Sequence, residues 1–295
     1  MNILAIEPYL HGSHKAFLKG LQEYSKHNIM PVTLAQPGGK WKMHGDAVYL
    51  AAKTAEVEEE IDLILASSMT NIPAFVALTN PRFAHTPKVL YMHENQLTQP
   101  LPEHEQRDYT YCYINYLSML SVDKLVFTTQ YHYNDFIDAL PDFLKKYSDK
   151  ALLNTVDTIA EKSTVMNPGL HLSQLDETEP LPKKSNSKVI VWNQRWQFDR
   201  NPAAFFRVLN RLDDAGFDFE LILAGDTEHE KPEEFEQAWR RYGDRITHFG
   251  YVDDNRKYAQ LLQKGDIVVS TANYEFFCVA VMEAIYCGCH PLLPN

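Results

Sequence analysis

"DIVVSTANYEFFCVAVMEAIYCGCHPLLP" occupies residues 266–294 and predicts three structural elements in succession. Short apolar runs at 266–270 and 290–294 are typical of buried strands. Between them, residues 276–288 are apolar over a length typical of a helix, and the final Gly288 is suited to close it. A strand, a helix and a second strand in this order indicate a parallel sheet covered by helices.

The same alternation runs along the rest of the chain. Further strands are predicted at 2–6, 31–35, 62–67, 88–92, 124–129, 188–192, 219–225 and 246–250. Helical segments lie between them, among them 109–120 and 202–216, and Gly216 is placed to end the second of these. The sequence therefore predicts an α/β protein with two Rossmann-like parallel sheets.

A polar stretch separates the two halves. Residues 173–188 contain two prolines, several serines and many charges, which is a linker composition. We therefore predict a first domain at 1–170, a linker at 171–187 and a second domain at 188–295. Ligands of such sheets bind beyond the carboxyl ends of the strands, so we expect the two domains to face a cleft that carries the site.

Composition excludes several protein classes. The chain has 295 residues, 45% hydrophobic and 23% charged, and no apolar run long enough to predict a membrane span. Four cysteines without a C-x-x-C pair favour a reducing compartment, so we expect a cytoplasmic protein with no disulfide frame. No ligand spacing suggests a bound metal or resident cofactor. A net charge of −11 disfavours non-specific nucleic-acid binding unless a local basic patch exists.

The loop after the first strand, residues 7–15, is a candidate anion site. Gly12 and Ser13 stand just before a predicted helix, where backbone N–H groups point outward. The alternative is an ordinary turn in which Ser13 caps the helix.

Four polar residues follow the predicted strand at 88–92. They are His93, Glu94, Asn95 and Gln96. At the carboxyl end of a strand they would face the ligand, and a histidine beside a carboxylate could orient a hydroxyl or move a proton. The alternative is a turn that caps the next helix.

Two arginines follow the first strand of the second domain. Arg195 and Arg200 precede a helix predicted to begin at Pro202, and the planar guanidinium suits phosphate oxygens. The alternative is a surface ion pair, for instance between Asp199 and one of the arginines.

Two glutamates bracket a charge-free segment. Glu275 precedes and Glu283 lies within the predicted apolar helix. A buried carboxylate is costly unless it is paired or hydrogen-bonded, so ligand hydroxyls or a salt bridge to another helix would account for Glu283. No Asp-x-Asp pair of the kind that holds a metal beside a nucleotide sugar is present.

Taken in order, these motifs resemble those of the retaining GT-B glycosyltransferases, whose signature is two glutamates separated by seven residues. A narrower resemblance covers most of the chain. "EPYLHGSHK" (7–15), "ASSMTN" (66–71), "YMHENQLTQP" (91–100) and "EFFCVAVMEAIYCGCHPL" (275–292) are similar to segments of the tRNA-queuosine mannosyltransferases.

The resemblance implies a donor, an acceptor and residue roles. It implies transfer of mannose from GDP-mannose to the cyclopentene diol of queuosine in tRNA-Asp, with retention and without a metal. Glu283 would bind the ribose, Glu275 and His93 would contact the transferred sugar, and Arg195 and Arg200 would neutralise the diphosphate. The other implied donor-binding residues are Gly12, Ser13, Phe276, Phe277 and Cys278. The implied acceptor residues are His14, Trp41, Glu94, Asn95 and Gln96.

Two other functions stay open from the sequence. One is a GT-B hexosyltransferase acting on a glycan, a lipid or a small molecule, and the other is a non-catalytic protein that binds sugar nucleotides. A tRNA partner requires a basic surface, for which the candidates are Lys40 and Lys42 beside Trp41, and Lys145, Lys146 and Lys150. The alternative for these lysines is ordinary solvent exposure. GT-B domains continue further, so we expect the second domain to be incomplete at Asn295.

Overall fold

A computed structural model describes most of the chain. The residues described are 1–10, 12–34, 41–101, 105–146, 152–179, 181–182, 187–225 and 232–294, with the backbone alone for 41–43. They divide into two compact units, Met1–Leu170 and His171–Asn295. Among these residues, no helix combines the length and apolar character needed to cross a membrane.

The first unit contains six strands and six helices among its described residues. Its strands are β1 (Asn2–Glu7), β2 (Asn28–Thr33), β3 (Leu63–Ser67), β4 (Lys88–Met92), β5 (Lys124–Phe127) and β6 (Ser163–Val165). Its helices are α1 (Gly12–Tyr24), α2 (Trp41–Thr54), α3 (Ile72–Leu78), α4 (Tyr109–Ser121), α5 (Gln130–Lys145) and α6 (Asn154–Glu161).

All strand pairs of the first sheet are parallel, in the order β2-β1-β3-β4-β5-β6. The chain therefore adds β2 on one side of β1 and then β3 on the other side. In parallel sheets this reversal of direction opens a crevice beyond the carboxyl ends of the two strands concerned. The order places the ligand edge of the first unit at the ends of β1 and β3.

Both faces of the first sheet are covered. Leu4 and Ile6 point to a large cluster formed with α2 to α6, while Ile3 and Ala5 pack with Leu18 of α1 on the opposite face. Successive side chains of a strand alternate between faces, so an unbroken apolar strand needs cover on both sides.

The second unit repeats this plan. Its strands are β7 (Lys188–Trp192), β8 (Phe219–Ala224), β9 (Ile246–Gly250), β10 (Ile267–Val269) and β11 (His290–Leu292). Its helices are α7 (Pro202–Asp214), α8 (Glu233–Tyr242), α9 (Asn255–Lys264) and α10 (Val279–Tyr286). The sheet is parallel, in the order β11-β10-β7-β8-β9. The reversal here falls between β7 and β10, which places the ligand edge at the ends of these two strands.

Two apolar clusters also sandwich the second sheet. Trp192 and Leu221 pack against α7 and α8, while Val191 and Ile222 pack against α9 and α10. Helix α7 ends in a Schellman motif, because Gly216 has a φ of 80° and the Phe217 N–H donates to the Leu212 carbonyl. This confirms the expected role of Gly216 at the helix end.

The predicted α/β class with two parallel sheets is confirmed, and several boundaries shift. Strand β2 begins at Asn28, before the predicted start at residue 31, and the short polar strand β6 was not predicted. Helix α10 begins at Val279, whereas a start at residue 276 was predicted. Part of the predicted linker is ordered, because residues 172–176 form a 3₁₀ helix whose Leu175 is buried within the second unit.

Gly225, which follows β8, lies so close to the loop after β7 that a residue with a Cβ would clash with it. A Cβ added there would lie 2.0 Å from the Gln194 carbonyl oxygen and 2.8 Å from Trp196 Nε1. We expect Gly225→Ala to lower the free energy of unfolding by about 2 kcal/mol, because the loop after β7 would be pushed aside. Chemical denaturation against Gly243→Ala is the measurement, since a Cβ on Gly243 meets nothing within 4 Å. Equal stability of the two variants would contradict this close packing.

Candidate functional site

Glu7 lies at the reversal point of the first sheet, as the last residue of β1. Its carboxylate accepts hydrogen bonds from the Tyr9 N–H (2.8 Å) and from the Ser67 hydroxyl at the end of β3 (3.2 Å). It also contacts His14 Nδ1 at 3.0 Å. Glu7 is only 4% exposed, so these contacts offset the cost of burying its charge. No sequence motif predicted a role for Glu7, although a charged residue directly after the apolar run 2–6 is a signal that could have indicated one.

His14 and His93 lie side by side with different proton affinities. Their ring centroids are 4.2 Å apart. Burial lowers the pKa of His14, but the hydrogen bond to Glu7 and the charges of Glu7 and Glu94 outweigh it, so that pKa is raised. Burial and the neighbouring His14 and His132 hold the pKa of His93 well below its usual value. His93 is therefore neutral near pH 7, and its Nε2 is buried without a hydrogen-bond partner among the described residues.

Glu7, His14 and His93 also offer three possible metal-ligand atoms that lie within 4.8 Å of one another. Two imidazoles and a carboxylate form a ligand set suited to zinc. The expectation that the chain needs no metal therefore stays a prediction.

The polar residues after β4 differ in whether their side chains bond within the protein or have no described partner. Asn95 is fully buried, and its Oδ1 accepts from the Leu97 and Thr98 N–H groups, so its side chain holds the turn. The Gln96 N–H donates to Asn115 Oδ1, which fixes the turn to α4. The Glu94 carboxylate makes no hydrogen bond or ion pair with any residue that the structure describes. The contacts of Asn95 therefore support the alternative interpretation, in which it belongs to a turn and does not face a ligand.

Gly12 and Ser13 form the first turn of α1. The helix begins at Gly12, which has a φ of 51°. A Cβ on Gly12 would meet nothing within 4 Å, so this backbone conformation is what favours glycine there. Ser13 lies inside the helix, so the alternative that it is the capping residue before the helix is wrong. Trp41 opens α2, and its side chain lies outside the description.

In the second unit, the loops after β7 and β10 are joined by side chains, and we call residues 193–201 and 270–278 the paired loops. The Arg200 side chain is 9% exposed, and its Nη1 lies 2.7 Å from Glu275 Oε2 and donates to the Tyr274 carbonyl at 3.0 Å. The Thr271 hydroxyl contacts the carbonyls of Arg200 (2.9 Å) and Asn201 (3.0 Å). Arg200 thus links the two loops, besides approaching Asp199 at 3.7 Å.

Arg195 differs from Arg200 although both follow the same strand. It is exposed, and its guanidinium forms no ion pair or hydrogen bond with the residues that the structure describes. Its neighbours Gln194 and Trp196 are buried, and the Gln194 amide contacts the Val269 carbonyl at 3.3 Å. A loop held by its buried neighbours therefore presents a cation, Arg195, that has no partner among the described residues.

Glu283 is held by a tyrosine. Its Oε2 accepts a hydrogen bond from the Tyr258 hydroxyl at 2.8 Å, and that hydroxyl also accepts from Asn193 Nδ2 at 3.1 Å. Burial raises the pKa of Glu283, and the hydrogen bond from Tyr258 lowers it only in part. The alternative of a salt bridge to another helix is wrong for the described residues. Tyr258 was not selected from the sequence, because it lies 25 residues from Glu283.

Phe276, Phe277 and Cys278 precede α10. Cys278 is the N-cap residue and makes no side-chain capping hydrogen bond of standard geometry, although its thiol, a weak acceptor, interacts with the Ala280 and Val281 N–H groups of the first turn. Burial, helped by the charge of Glu275, raises the pKa of Cys278 to about 11, so the thiol is neutral. The Phe277 N–H donates to Glu275 Oε1 at 3.2 Å, which ties the loop to the same carboxylate that pairs with Arg200.

Two family models together match almost the whole chain. The model described as "tRNA-queuosine alpha-mannosyltransferase N-terminal" matches residues 2–170, and "Glycosyl transferases group 1" matches residues 173–295. A tRNA-queuosine alpha-mannosyltransferase of Drosophila melanogaster is 31% identical over 302 residues, which cover 100% of this chain and 79% of the relative. The chain belongs to the tRNA-queuosine alpha-mannosyltransferase family.

Solved structures show the GT-B fold of this mannosyltransferase family member. Sucrose-phosphate synthase from Thermosynechococcus elongatus superposes with a TM-score of 0.71 at 14% identity, covering 99% of this chain and 80% of that chain. Anabaena HepE in complex with UDP-glucose gives a TM-score of 0.66 at 18% identity, with coverage of 99% and 80%. At these identities the likeness concerns the fold. The family matches identify the chain as a glycosyltransferase.

The lysines proposed for a tRNA surface are only partly described in this family member. Lys145 pairs with Asp142 at 3.0 Å, and Lys146 donates to the Tyr109 hydroxyl at 2.6 Å. Lys40 and Lys150 lie outside the described residues, as does the side chain of Lys42. The two described lysines therefore already have partners on their own unit.

Proposed function

We propose that this chain transfers mannose from GDP-mannose to the queuosine of tRNA-Asp with retention of configuration. The family match over residues 2–170 carries this proposal. The group 1 match at 173–295 is a general one, and the first unit is the part that distinguishes the queuosine enzymes. Because the proposed acceptor is a tRNA, the proposed location is the cytoplasm.

The donor would bind at the paired loops. The diphosphate needs positive charge and N–H donors, which would come from Arg195, Arg200 and the first turn of α10, where the Cys278 thiol is only a weak acceptor. Glu283, held by Tyr258, would accept hydrogen bonds from the ribose hydroxyls. The Glu275 carboxylate already contacts Arg200, so it would hold the sugar hydroxyls close to the charge that neutralises the diphosphate.

The chemical step exchanges one C1–O bond for another on the same face of the sugar. The bond from mannose C1 to the β-phosphate oxygen breaks, a bond from C1 to an acceptor hydroxyl forms, and the hydroxyl proton passes to the departing phosphate. Stabilising the charge of that phosphate would be the main contribution of Arg195 and Arg200. Neutral His93 would hydrogen-bond near the reacting centre without adding a charge.

The acceptor would meet the carboxyl edge of the first sheet. His14 is oriented by Glu7, and Glu94 is unpaired among the described residues, so both side chains are suited to hydroxyl groups. Gln96 stays a proposed acceptor contact, whereas Gly12 and Ser13 stay proposed contacts of the donor. Asn95 would act by holding the turn.

Glu283→Ala is expected to weaken GDP-mannose binding about 100-fold, since two ribose hydroxyls would lose a charged acceptor. Calorimetry with GDP-mannose measures this directly. Tyr258→Phe removes the group that holds Glu283 and should cause a smaller loss, of about threefold to tenfold. An unchanged affinity of Glu283→Ala would reject its assignment to the donor.

Arg195→Ala is expected to lower turnover about 100-fold and to leave the free energy of unfolding unchanged, because its guanidinium has no partner among the described residues. Arg207→Ala is the matched control, since Arg207 is likewise exposed, on α7. Single-turnover transfer and denaturant titration separate the two effects. Equal turnover of the two variants would contradict a role on the diphosphate.

The proposed function is tested with labelled sugar nucleotides and two tRNA-Asp preparations, one with queuosine and one with guanosine at that position. We expect transfer from GDP-mannose to the queuosine tRNA alone. Transfer from UDP-glucose or ADP-glucose would reject the donor, and labelling of the guanosine tRNA would reject the acceptor. Loss of transfer in EDTA, restored by zinc, would reject metal independence and direct attention to Glu7, His14 and His93.

A further inference from the structure

Asp46 is a buried acid that the proposed donor chemistry does not use. It lies on α2, is 2% exposed, and neither carboxylate oxygen has a hydrogen-bond partner among the described residues. The N–H groups of Ala47 and Asn71 face the carboxylate without reaching hydrogen-bond geometry. Native proteins rarely leave both oxygens of a buried acid unsatisfied, so such a group points to a missing partner.

Asp46 lies at the ligand edge of the first sheet. Asn71 caps α3 just after β3, one of the two strands at the reversal of the sheet. Other polar atoms beyond the ends of β3 and β4 are also buried without partners in the described part of the chain: Ser68 Oγ, Thr70 Oγ1, His93 Nε2 and Asn95 Nδ2. Unsatisfied groups therefore concentrate where a ligand of this fold binds.

The surroundings of Asp46 are acidic. Tyr9 packs with Tyr111 against Met69, beyond the ends of β1 and β3. Burial raises the pKa of Tyr9, and the charges of Glu94 and Asp46 raise it further, so both carboxylates act on the same hydroxyl. Asp46 forms no ion pair with a lysine or arginine that the structure describes. A cation with N–H groups to donate would satisfy both oxygens and offset the negative charge.

We propose that Asp46 binds the protonated secondary amine that joins the deazaguanine base of queuosine to its cyclopentene diol. This inference rests on the proposed function. A secondary ammonium has two N–H donors and one positive charge, which match two free carboxylate oxygens and one negative charge. The amine adjoins the ring that carries the acceptor hydroxyls, so binding it orients the diol. Guanosine lacks this amine, and Asp46 thereby also selects for the modified base.

The test is equilibrium binding of queuosine nucleoside and its N-acetylated derivative, which is a neutral amide, without any donor. We expect the wild-type chain to bind queuosine at least about tenfold more tightly than the amide. In Asp46→Asn this preference should disappear, through weaker binding of queuosine. Asp142→Asn, an exposed acid on α5, is the control and should retain the preference.

Each outcome bears on the inference separately from transfer. Equal binding of the two nucleosides by the wild-type chain, or a preference that survives in Asp46→Asn, would overturn it. If Asp46→Asn loses the preference for queuosine over the amide but keeps its affinity for GDP-mannose, the inference is supported and general unfolding is excluded. If the preference depends on Asp46 but no sugar is transferred to queuosine tRNA, the proposed function fails while the amine site stands.

Discussion

Arg200→Ala is expected to damage both the stability of the second unit and the binding of GDP-mannose. The guanidinium is buried and contacts Glu275 and the Tyr274 carbonyl, so its removal separates the paired loops. Removing one partner of a buried ion pair costs about 3–5 kcal/mol. We expect about 3 kcal/mol here, because the Glu275 side chain is 27% exposed and regains water. Donor affinity should fall about 100-fold or more with the displaced loop.

A double-mutant cycle with Glu275→Ala separates the pair from its surroundings. If Arg200 acts on the loops mainly through Glu275, the double variant should be little less stable than Arg200→Ala alone. Arg195→Ala provides the contrast, since turnover should fall there without loss of stability. Additive losses in the cycle, or an Arg200→Ala variant as stable as the wild-type chain, would contradict the linking role of Arg200.

Compared with the wild-type chain, the Asp46→Asn variant is expected to gain stability as the pH rises. Burial raises the pKa of Asp46 from 3.8 to about 7. Below the unfolded value of 3.8 both states hold the proton, so Asp46 does not penalise folding. Between that value and about 7 the unfolded state ionises first, and wild-type stability falls as the pH rises. Over this window the difference between variant and wild type should grow by about 4 kcal/mol in favour of the variant.

Denaturant titrations of both proteins from pH 4 to pH 8 measure this difference. Tyr9, whose pKa Asp46 raises, is present in both proteins, so the ionisation of Tyr9 affects the comparison only through its coupling to Asp46. Asp142→Asn, an exposed acid on α5, is the matched control variant for the same titrations. Parallel profiles for Asp46→Asn and the wild-type chain would show that Asp46 ionises normally in the folded state. If the variant is more stable but no longer binds the acceptor amine, the wild-type chain keeps Asp46 for binding at a cost in stability.

Sequence patterns predicted the framework well because parallel strands depend on local composition. The strands at 88–92, 188–192 and 246–250 were predicted with their observed ends, since each is a short run with strand-forming residues between clear breaks. The start of α10 was predicted too early, because Phe276 continues the apolar run while packing against Tyr274 outside the helix. Apolar character alone does not distinguish a helix turn from a loop that packs on the core.

The contacts within the candidate site depended on the topology of the sheets. Glu7 and Ser67 meet because β1 and β3 are neighbours, although 60 residues separate them in sequence. Asp46 lies within a helix and belongs to no sequence motif, so only its burial in the structure indicates a functional role. Arg195 and Arg200 both follow the strand at 188–192, and the sequence predicted the same role for them. In the structure Arg195 is exposed, whereas Arg200 is buried and pairs with Glu275. Such distinctions require knowing which strand lies beside which.

The paired loops of the second unit also bear on the thermodynamics of donor recognition. Their irregular backbone is already fixed by Arg200 and Thr271 before any nucleotide arrives. A donor that docks there as proposed would therefore order few additional residues, and the conformational entropy lost on binding would be small. Selectivity among nucleotide sugars would then depend on complementarity to a preorganised surface, with little contribution from induced fit in these loops.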